Sequence, residues 1–304
     1  MTRTAGSPAS SEYDDHALAQ RHPVNDAAPA AGPGSPPAVI ATDLDGTLLR
    51  SDGTISARTV AALDRAWAAG IATIFVTARP PRWLDALGHA VGEHGIAICG
   101  NGAFVYDVAA RRVLRAHTFA ADALAGLVAD LRAGVPGIKL AAERVGGLWV
   151  EPGWPDPHRE VDVAGRVVAP LDALAASPAP GDAVGKLLAL AADRHTDRES
   201  FFAAVTGVVG ERAVLAYSGV FDLAELGPPG VSKAAGLADW CARRGIGPDR
   251  VWAFGDMPND VPMLRWAGRS FVVAGGHPQA RAAATDECPG NDEDGVAAII
   301  ESLL

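Results

Sequence analysis

The chain has little cysteine: Cys99, Cys241 and Cys288 are its only three in 304 residues, far apart and without a CxxC pair. An odd, scattered set of this kind excludes a disulfide framework and points to a reducing compartment. No apolar run reaches membrane-spanning length, and the N-terminus has no leader-like apolar core, so a cytoplasmic protein with no membrane partner is expected. Positive charge is in deficit. A formal net charge of −10 and a pI near 5.2 argue against nucleic acid as a partner. His89, His94, His117, His158, His195 and His277 show no metal-ligand spacing and read as surface or structural. No GxGxxG follows a strand, and "GPPGVSK" (227–233) places Ser before Lys where a nucleotide-cradling loop needs Lys before Ser or Thr. No internal repeat stands out.

What is present is a large apolar inventory. Hydrophobic residues make up 49% of the chain and the mean hydropathy is +0.13, enough to bury a sizeable core. Residues 1–37 stand apart. They lack a sustained period and end in the Pro/Ala/Gly-rich "AAPAAGPGSPPA" (27–38), which reads as a disordered extension. From Ala38 onward, strands alternate with helices. Apolar "AVIA" leads to a turn marked by Asp52-Gly53. Ser56 caps a helix over 57–69 with Val60, Leu63 and Trp67 on one face and Gly70 as its stop. "IATIFVTA" (71–78) is a second apolar strand, Pro80-Pro81 opens another helix, and "IAIC" (96–99) is a third strand ending at Gly100-Asn101-Gly102. The pattern returns with a helix over 232–244, "VWAF" (251–254), a helix over 258–267, "SFVVA" (270–274) and a last helix from about Asp294. Continuous apolar strands separated by helices predict an α/β core, a Rossmann-like doubly wound parallel sheet. The middle, 105–225, is strand-rich with two helices (120–133 and 196–209) and pieces that alternate, such as 143–150. It predicts an inserted α+β cap domain, leaving 38–104 and 226–304 as the core.

Four polar stations fall at the ends of core strands or at a helix start beside them: Asp43 and Asp45, Thr77 in "FVTARP", Lys233 in "GVSKAAGL", and Asp256 with Asp260 in "FGDMPNDVPML". That edge is where open α/β sheets bind ligands. Unpaired carboxylates at a buried strand end are costly, so three aspartates around one point call for a cation, and hard oxygen donors suit Mg²⁺. A hydroxyl and an ammonium facing that cluster form a pocket for a tetrahedral dianion, phosphate. Asp43 could attack phosphorus to give an aspartyl-phosphate. Asp45 could protonate the leaving alcohol and then deprotonate water. Each signal alone also has a bland reading. "DG" is ordinary turn chemistry, Thr77 could be a plain strand residue, Asn101-Gly102 a simple turn, and Asp256 a helix cap. Lys186, at the start of "KLLALA", reads as structural, and the seven tryptophans as packing.

Taken in order, "DLDGTLL", "VTARP", "GVSK" and "GDMPNDVPML" resemble the haloacid dehalogenase superfamily of phosphohydrolases, specifically its Cof-type branch with a class IIB cap, over 38–304. The resemblance implies Asp43 as nucleophile and Asp45 as acid/base, with Thr77 and Lys233 holding phosphate. It implies a Mg²⁺ site of Asp43, Asp256 and the Asp45 carbonyl, with Asn259 and Asp260 in support. Arg79, Asn101 and Gly46 match pocket-lining positions, and the cap is expected to close over the site and select the substrate. Ala78 replaces a frequent Gly, and "VAGGHP" (273–278) replaces the frequent "AMGNA". The expected activity is Mg²⁺-dependent hydrolysis of a small phosphorylated metabolite by a monomer or weak dimer. A phosphomutase of the same chemistry is the neighbouring alternative. A phospho-accepting signalling module and a non-catalytic binding protein are the alternatives from other classes.

Overall fold

The computed structural model describes residues 9–12, 36–88, 95–155, 165–176, 182–191, 197–218 and 223–304. Its strands in chain order are β1 (Ala9–Glu12), β2 (Val39–Thr42), β3 (Ala72–Val76), β4 (Ile96–Cys99), β5 (Phe104–Asp107), β6 (Arg112–Thr118), β7 (Lys139–Arg144), β8 (Gly147–Val150), β9 (Val167–Val168), β10 (Val184–Leu190), β11 (Val214–Ser218), β12 (Leu223–Gly227), β13 (Val251–Gly255), β14 (Arg269–Val273) and β15 (Asp286–Cys288). The α-helices are α1 (Ala57–Ala68), α2 (Ala121–Gly134), α3 (Leu171–Ala176), α4 (Arg198–Val209), α5 (Lys233–Ala242), α6 (Val261–Trp266), α7 (Pro278–Ala283) and α8 (Gly295–Leu303). The chain divides into two compact units: Arg115–Val231, with which β1 up to Ser11 is grouped, and an outer unit of Glu12–Leu114 and Ser232–Leu304 into which Arg115–Val231 is inserted. Strand β5 pairs antiparallel with β4 and so belongs to the outer unit's sheet.

In that outer unit, β4-β3-β2-β13-β14-β15 form a parallel sheet. The chain fills one side of β2 with β3 and β4, and later fills the other side with β13 to β15. The order therefore reverses beside β2, the topological switch point where such sheets open a ligand crevice. All of β2 is buried, which explains its unbroken apolar run. Val39 and Ala41 join a core with Leu237, Trp240 and Cys241 of α5 and Met263 and Leu264 of α6. Ile40 points to the opposite face and is equally buried. In strand order β6 and β1 follow β5, and Arg115–Thr118 of β6 and Ala9–Ser11 of β1 are grouped with the inserted unit. The segment Ala9–Glu12, expected to be disordered, is thus a strand; the rest of 1–35 lies outside the described residues.

Local chemistry explains most elements and corrects some. Ser56 caps α1 by accepting the Thr59 N–H, but the buried face is Thr59, Ala62, Leu63 and Ala66 rather than Val60 and Trp67. Small residues let the helix lie close, and the tryptophan takes the flank. The segment after Pro80 forms only two short 3₁₀ turns, Pro81–Trp83 and Asp85–Leu87, in place of the expected helix. The expected helix over 258–267 is split into a 3₁₀ turn, Pro258–Asp260, and α6.

The inserted unit is a six-stranded sheet in the order β11-β12-β10-β7-β8-β9, antiparallel except for β8 with β9. Helices α2, α3 and α4 bury Leu127, Leu131, Leu174, Phe201 and Val205 against Leu140, Leu187 and Leu226 of one sheet face. On the face away from that cluster, Lys186 is buried with its Nζ 3.2 Å from Glu225 Oε2. Among the described residues, no helix is long and apolar enough to cross a membrane. His277 accepts the Gln279 N–H at the start of α7; His89, His94, His158 and His195 lie outside the described residues.

Candidate active site

Three neighbouring strands, β3, β2 and β13, end side by side, and each delivers a polar residue just past its C-terminus: Thr77, Asp43 and Asp256. The ladder carries the nucleophile candidate one step beyond β2, since the Asp43 N–H donates to Phe254 O at 3.0 Å. The next loop, 100–102, has φ values of +61°, +59° and +104°, the middle one at Asn101. Gly102 is required there because a Cβ would stand 2.2 Å from the Ser232 carbonyl oxygen. Gly236 allows the same close approach one turn on, where a Cβ would meet Ile98 Cγ2 at 2.7 Å. These two glycines let α5 press its N-terminus against the strand ends. Ser232 caps that helix by accepting the Ala235 N–H, and Lys233 is its first residue.

A cation at a helix N-terminus opposes the dipole, so Lys233 needs strong partners. Its Nζ donates to Asp43 Oδ1 and to Asp260 Oδ1, both at 2.7 Å, and its side chain is 1% exposed. Burial works against the ammonium, but the carboxylates of Asp260 and Asp43 outweigh it and hold Lys233 above the ordinary lysine value. Both oxygens of Asp260 are engaged: the second accepts the N–H groups of Asp256 and Met257 at 3.1 and 3.0 Å. It ties Lys233 to the loop after β13.

Asp43, Asp256 and Asp260 bring one carboxylate oxygen each to within 4.8 Å of one another. Burial pushes the Asp43 carboxyl well above its usual range; Lys233 opposes this, while Asp260 and Asp256 add to it. Burial likewise raises Asp256, against the bond it accepts from Thr47. Three carboxylates against one ammonium leave two negative charges uncompensated, the charge of one divalent cation. With Asp260 committed to Lys233 and the backbone, Asp43 and Asp256 are the residues that would hold such an ion, and their hard oxygen donors fit Mg²⁺.

Asp45 stands apart from this cluster. Its carboxylate turns to Arg79, while the part expected of Asp45 at a metal is that of its backbone carbonyl. Arg79 Nε donates to Oδ2 at 2.8 Å and Nη2 to Oδ1 at 2.6 Å. The reason is the turn: Gly46 has φ +80° and a Cβ on it would stand 2.5 Å from Asp256 Oδ2. The backbone therefore passes beside Asp256 while the Asp45 side chain faces outward. Thr77 is fully buried, and its hydroxyl accepts the Arg79 N–H at 3.1 Å. Asn259 Nδ2 lies 3.5 Å from Asn101 Oδ1.

One functional residue escaped the sequence reading. Thr47 is buried and donates from Oγ1 to Asp256 Oδ1 at 2.8 Å, fixing the carboxylate's orientation. The only available signal was a hydroxyl within "DLDGT", absorbed there as turn chemistry.

A family model described as haloacid dehalogenase-like hydrolase matches residues 40–300. The pyridoxal phosphate phosphatase YbhA of Escherichia coli K12 is 28% identical over 275 residues, spanning 88% of this chain and 98% of its own length. The 5-amino-6-(5-phospho-D-ribitylamino)uracil phosphatase YitU of Bacillus subtilis 168 is 26% identical over 270 residues, spanning 88% and 98%. A solved haloacid dehalogenase-like hydrolase from Bacteroides thetaiotaomicron superposes with a TM-score of 0.71 at 23% identity, covering 88% of this chain and 99% of that one. The family match runs through the inserted unit as well as the parallel sheet, a span that a lone signalling module does not have. With its four motifs gathered at the switch point and this match over its length, the chain belongs to the haloacid dehalogenase-like hydrolases.

Proposed function

We propose that the protein is a Mg²⁺-dependent phosphatase that hydrolyses a small phosphorylated metabolite through an aspartyl-phosphate on Asp43. The observation that carries this reading is the Lys233 ammonium, buried between Asp43 and Asp260 beside Asp256. Asp43 Oδ1 is occupied by Lys233, which leaves the other oxygen to bond phosphorus as the ester P–O bond breaks. Asp45 gives a proton to the departing alkoxide, and then takes one from the water that cleaves the acyl-phosphate. Lys233 and the Thr77 hydroxyl hold the phosphoryl oxygens. Bound Mg²⁺ would offset the charge shared between the carboxylates and the phosphate. Both relatives above are named for small phosphorylated compounds, and they differ in which one, so the substrate class carries over and no single substrate does. The three cysteines are buried and none is in a disulfide, which supports a reducing, cytoplasmic location.

The test is phosphate release from 4-nitrophenyl phosphate and from a panel of sugar, polyol and cofactor phosphates. Turnover is expected with Mg²⁺, none after EDTA treatment, and none for Asp43→Asn. Acid-quenched wild-type protein is expected to carry a phosphoryl group on Asp43. Full activity in thoroughly metal-depleted protein, or an active Asp43→Asn variant, overturns the mechanism.

A further inference from the structure

Asp45 is oddly placed for a group that must meet a departing oxygen. Its side chain is 58% exposed, and it stands on a turn immediately before left-handed Gly46. An exposed aspartate on a turn samples several rotamers. Misplacement by 1 Å can cost about 10²-fold in rate, so an unrestrained acid would forfeit much of its effect.

Arg79 removes that freedom. Its two bonds to Asp45 are parallel and of 2.8 and 2.6 Å, and a planar fork of this kind fixes both the position and the plane of a carboxylate. A carboxylate offers about four lone-pair sites. The fork takes one on each oxygen and leaves one on each for a proton. Arg79 is itself anchored at both ends of its backbone: its N–H donates to Thr77 Oγ1 at 3.1 Å, and its carbonyl accepts the Gly100 N–H at 2.8 Å. The Thr77 carbonyl accepts the Asn101 N–H at 3.0 Å. The clamp is thus rooted in the two loops that follow β3 and β4. Fold stability gives little reason for the pair, because an ion pair this open to water contributes little.

We propose that Arg79 is a positioning residue that holds the Asp45 carboxylate in the orientation from which it exchanges a proton with the leaving oxygen. This rests on the phosphatase reading and adds to it a division of labour: Lys233 and Thr77 serve the phosphate, and Arg79 serves the acid.

The experiment compares two esters of similar shape in the full chain with Mg²⁺. 4-Nitrophenyl phosphate has a leaving group that needs scarcely any protonation, whereas 4-nitrobenzyl phosphate releases an alcohol that needs it fully. General acid catalysis contributes about 10²–10⁴-fold, so Arg79→Gln is expected to lower kcat on the nitrobenzyl ester at least about tenfold more than on the nitrophenyl ester. Arg79→Lys keeps the charge without the fork and is expected to resemble Arg79→Gln. Adding Arg79→Gln to Asp45→Asn is expected to cause no further loss on the nitrobenzyl ester, because the group being positioned is already gone. Both Arg79 variants should melt within a few degrees of wild type. Equal losses on the two esters, carried by KM and multiplying with Asp45→Asn, would make Arg79 a phosphate ligand only and overturn the proposal. A gain in nitrobenzyl turnover would make the pair a latch and also overturn it, as would unfolding of both variants. A wild-type chain that hydrolyses neither ester refutes the phosphatase reading itself, and the clamp with it.

Discussion

Replacing Lys233 by Met removes an ammonium of 1% side-chain exposure from between carboxylates of 7% and 0% exposure. The methionine fills nearly the same volume, so the loss is one of charge and of two 2.7 Å hydrogen bonds. Breaking a buried ion pair from one side costs about 3–5 kcal/mol, because the abandoned carboxylate stays buried. At about 2–4 °C per kcal/mol for domains of roughly this size, the metal-free variant should melt on the order of 10 °C below wild type. The pH dependence has a definite sign. Asp43 already has its folded-state pKa raised by burial, with Lys233 opposing, so losing Lys233 raises it further. A folded state that binds its proton more tightly than the unfolded chain is destabilised as pH rises through that folded pKa. The deficit should therefore be smaller at pH 5, where Asp43 can protonate, and larger at pH 8. Adding Mg²⁺ should narrow it, since the divalent ion replaces the lost positive charge. The assay is calorimetric or fluorescence melting of both proteins in EDTA at pH 5 and 8, repeated with Mg²⁺. A variant melting within 2 °C of wild type in EDTA at pH 8, or one whose deficit is greater at pH 5, would refute the charge argument.

Two further outcomes follow from the same geometry. Gly46→Ala forces a Cβ to within 2.5 Å of Asp256 Oδ2 at φ +80°, a conformation that costs a residue with a side chain about 1–2 kcal/mol; the half-saturating Mg²⁺ concentration for turnover should rise at least about tenfold, and an unchanged value would separate Asp256 from the metal. Burial pushes the Cys241 and Cys288 thiols up to about 12, leaving roughly one molecule in 10⁴ as thiolate at pH 8. Neither should react with a maleimide in the native protein, whereas both should react in guanidinium, and rapid native labelling of either would contradict their burial.

How legible the site was depended on the range of each interaction. The strand-end aspartates could be read because their meaning is local: a fully apolar strand that stops in Asp-x-Asp-Gly contains both the burial and the charge that needs an answer. Ser56 as a cap is equally local, bonding an N–H three residues on. The face of α1 was misread because Val60 and Trp67 are the more hydrophobic residues, while close packing selected Thr59, Ala62 and Ala66. The segment after Pro80-Pro81 carried a helix-start signal, and what forms there is a pair of 3₁₀ turns.

By itself, then, the sequence determined the α/β class, the strand-end placement of Asp43, Thr77 and Asp256, and the acidic character of the site, because periodicity and strand termination are written within a few consecutive residues. Only the tertiary structure decided which group each carboxylate bonds. Asp260 was drawn to Lys233, 27 positions away, Asp45 to Arg79 across 34, and Asp256 to Thr47 across 209. Those pairings depend on strand order, on the bare backbones of Gly46 and Gly102, and on how close α5 can come to the sheet. Nothing in the local residues encodes such distances, since any of the aspartates could have served as ligand, acid or anchor until packing fixed its neighbour.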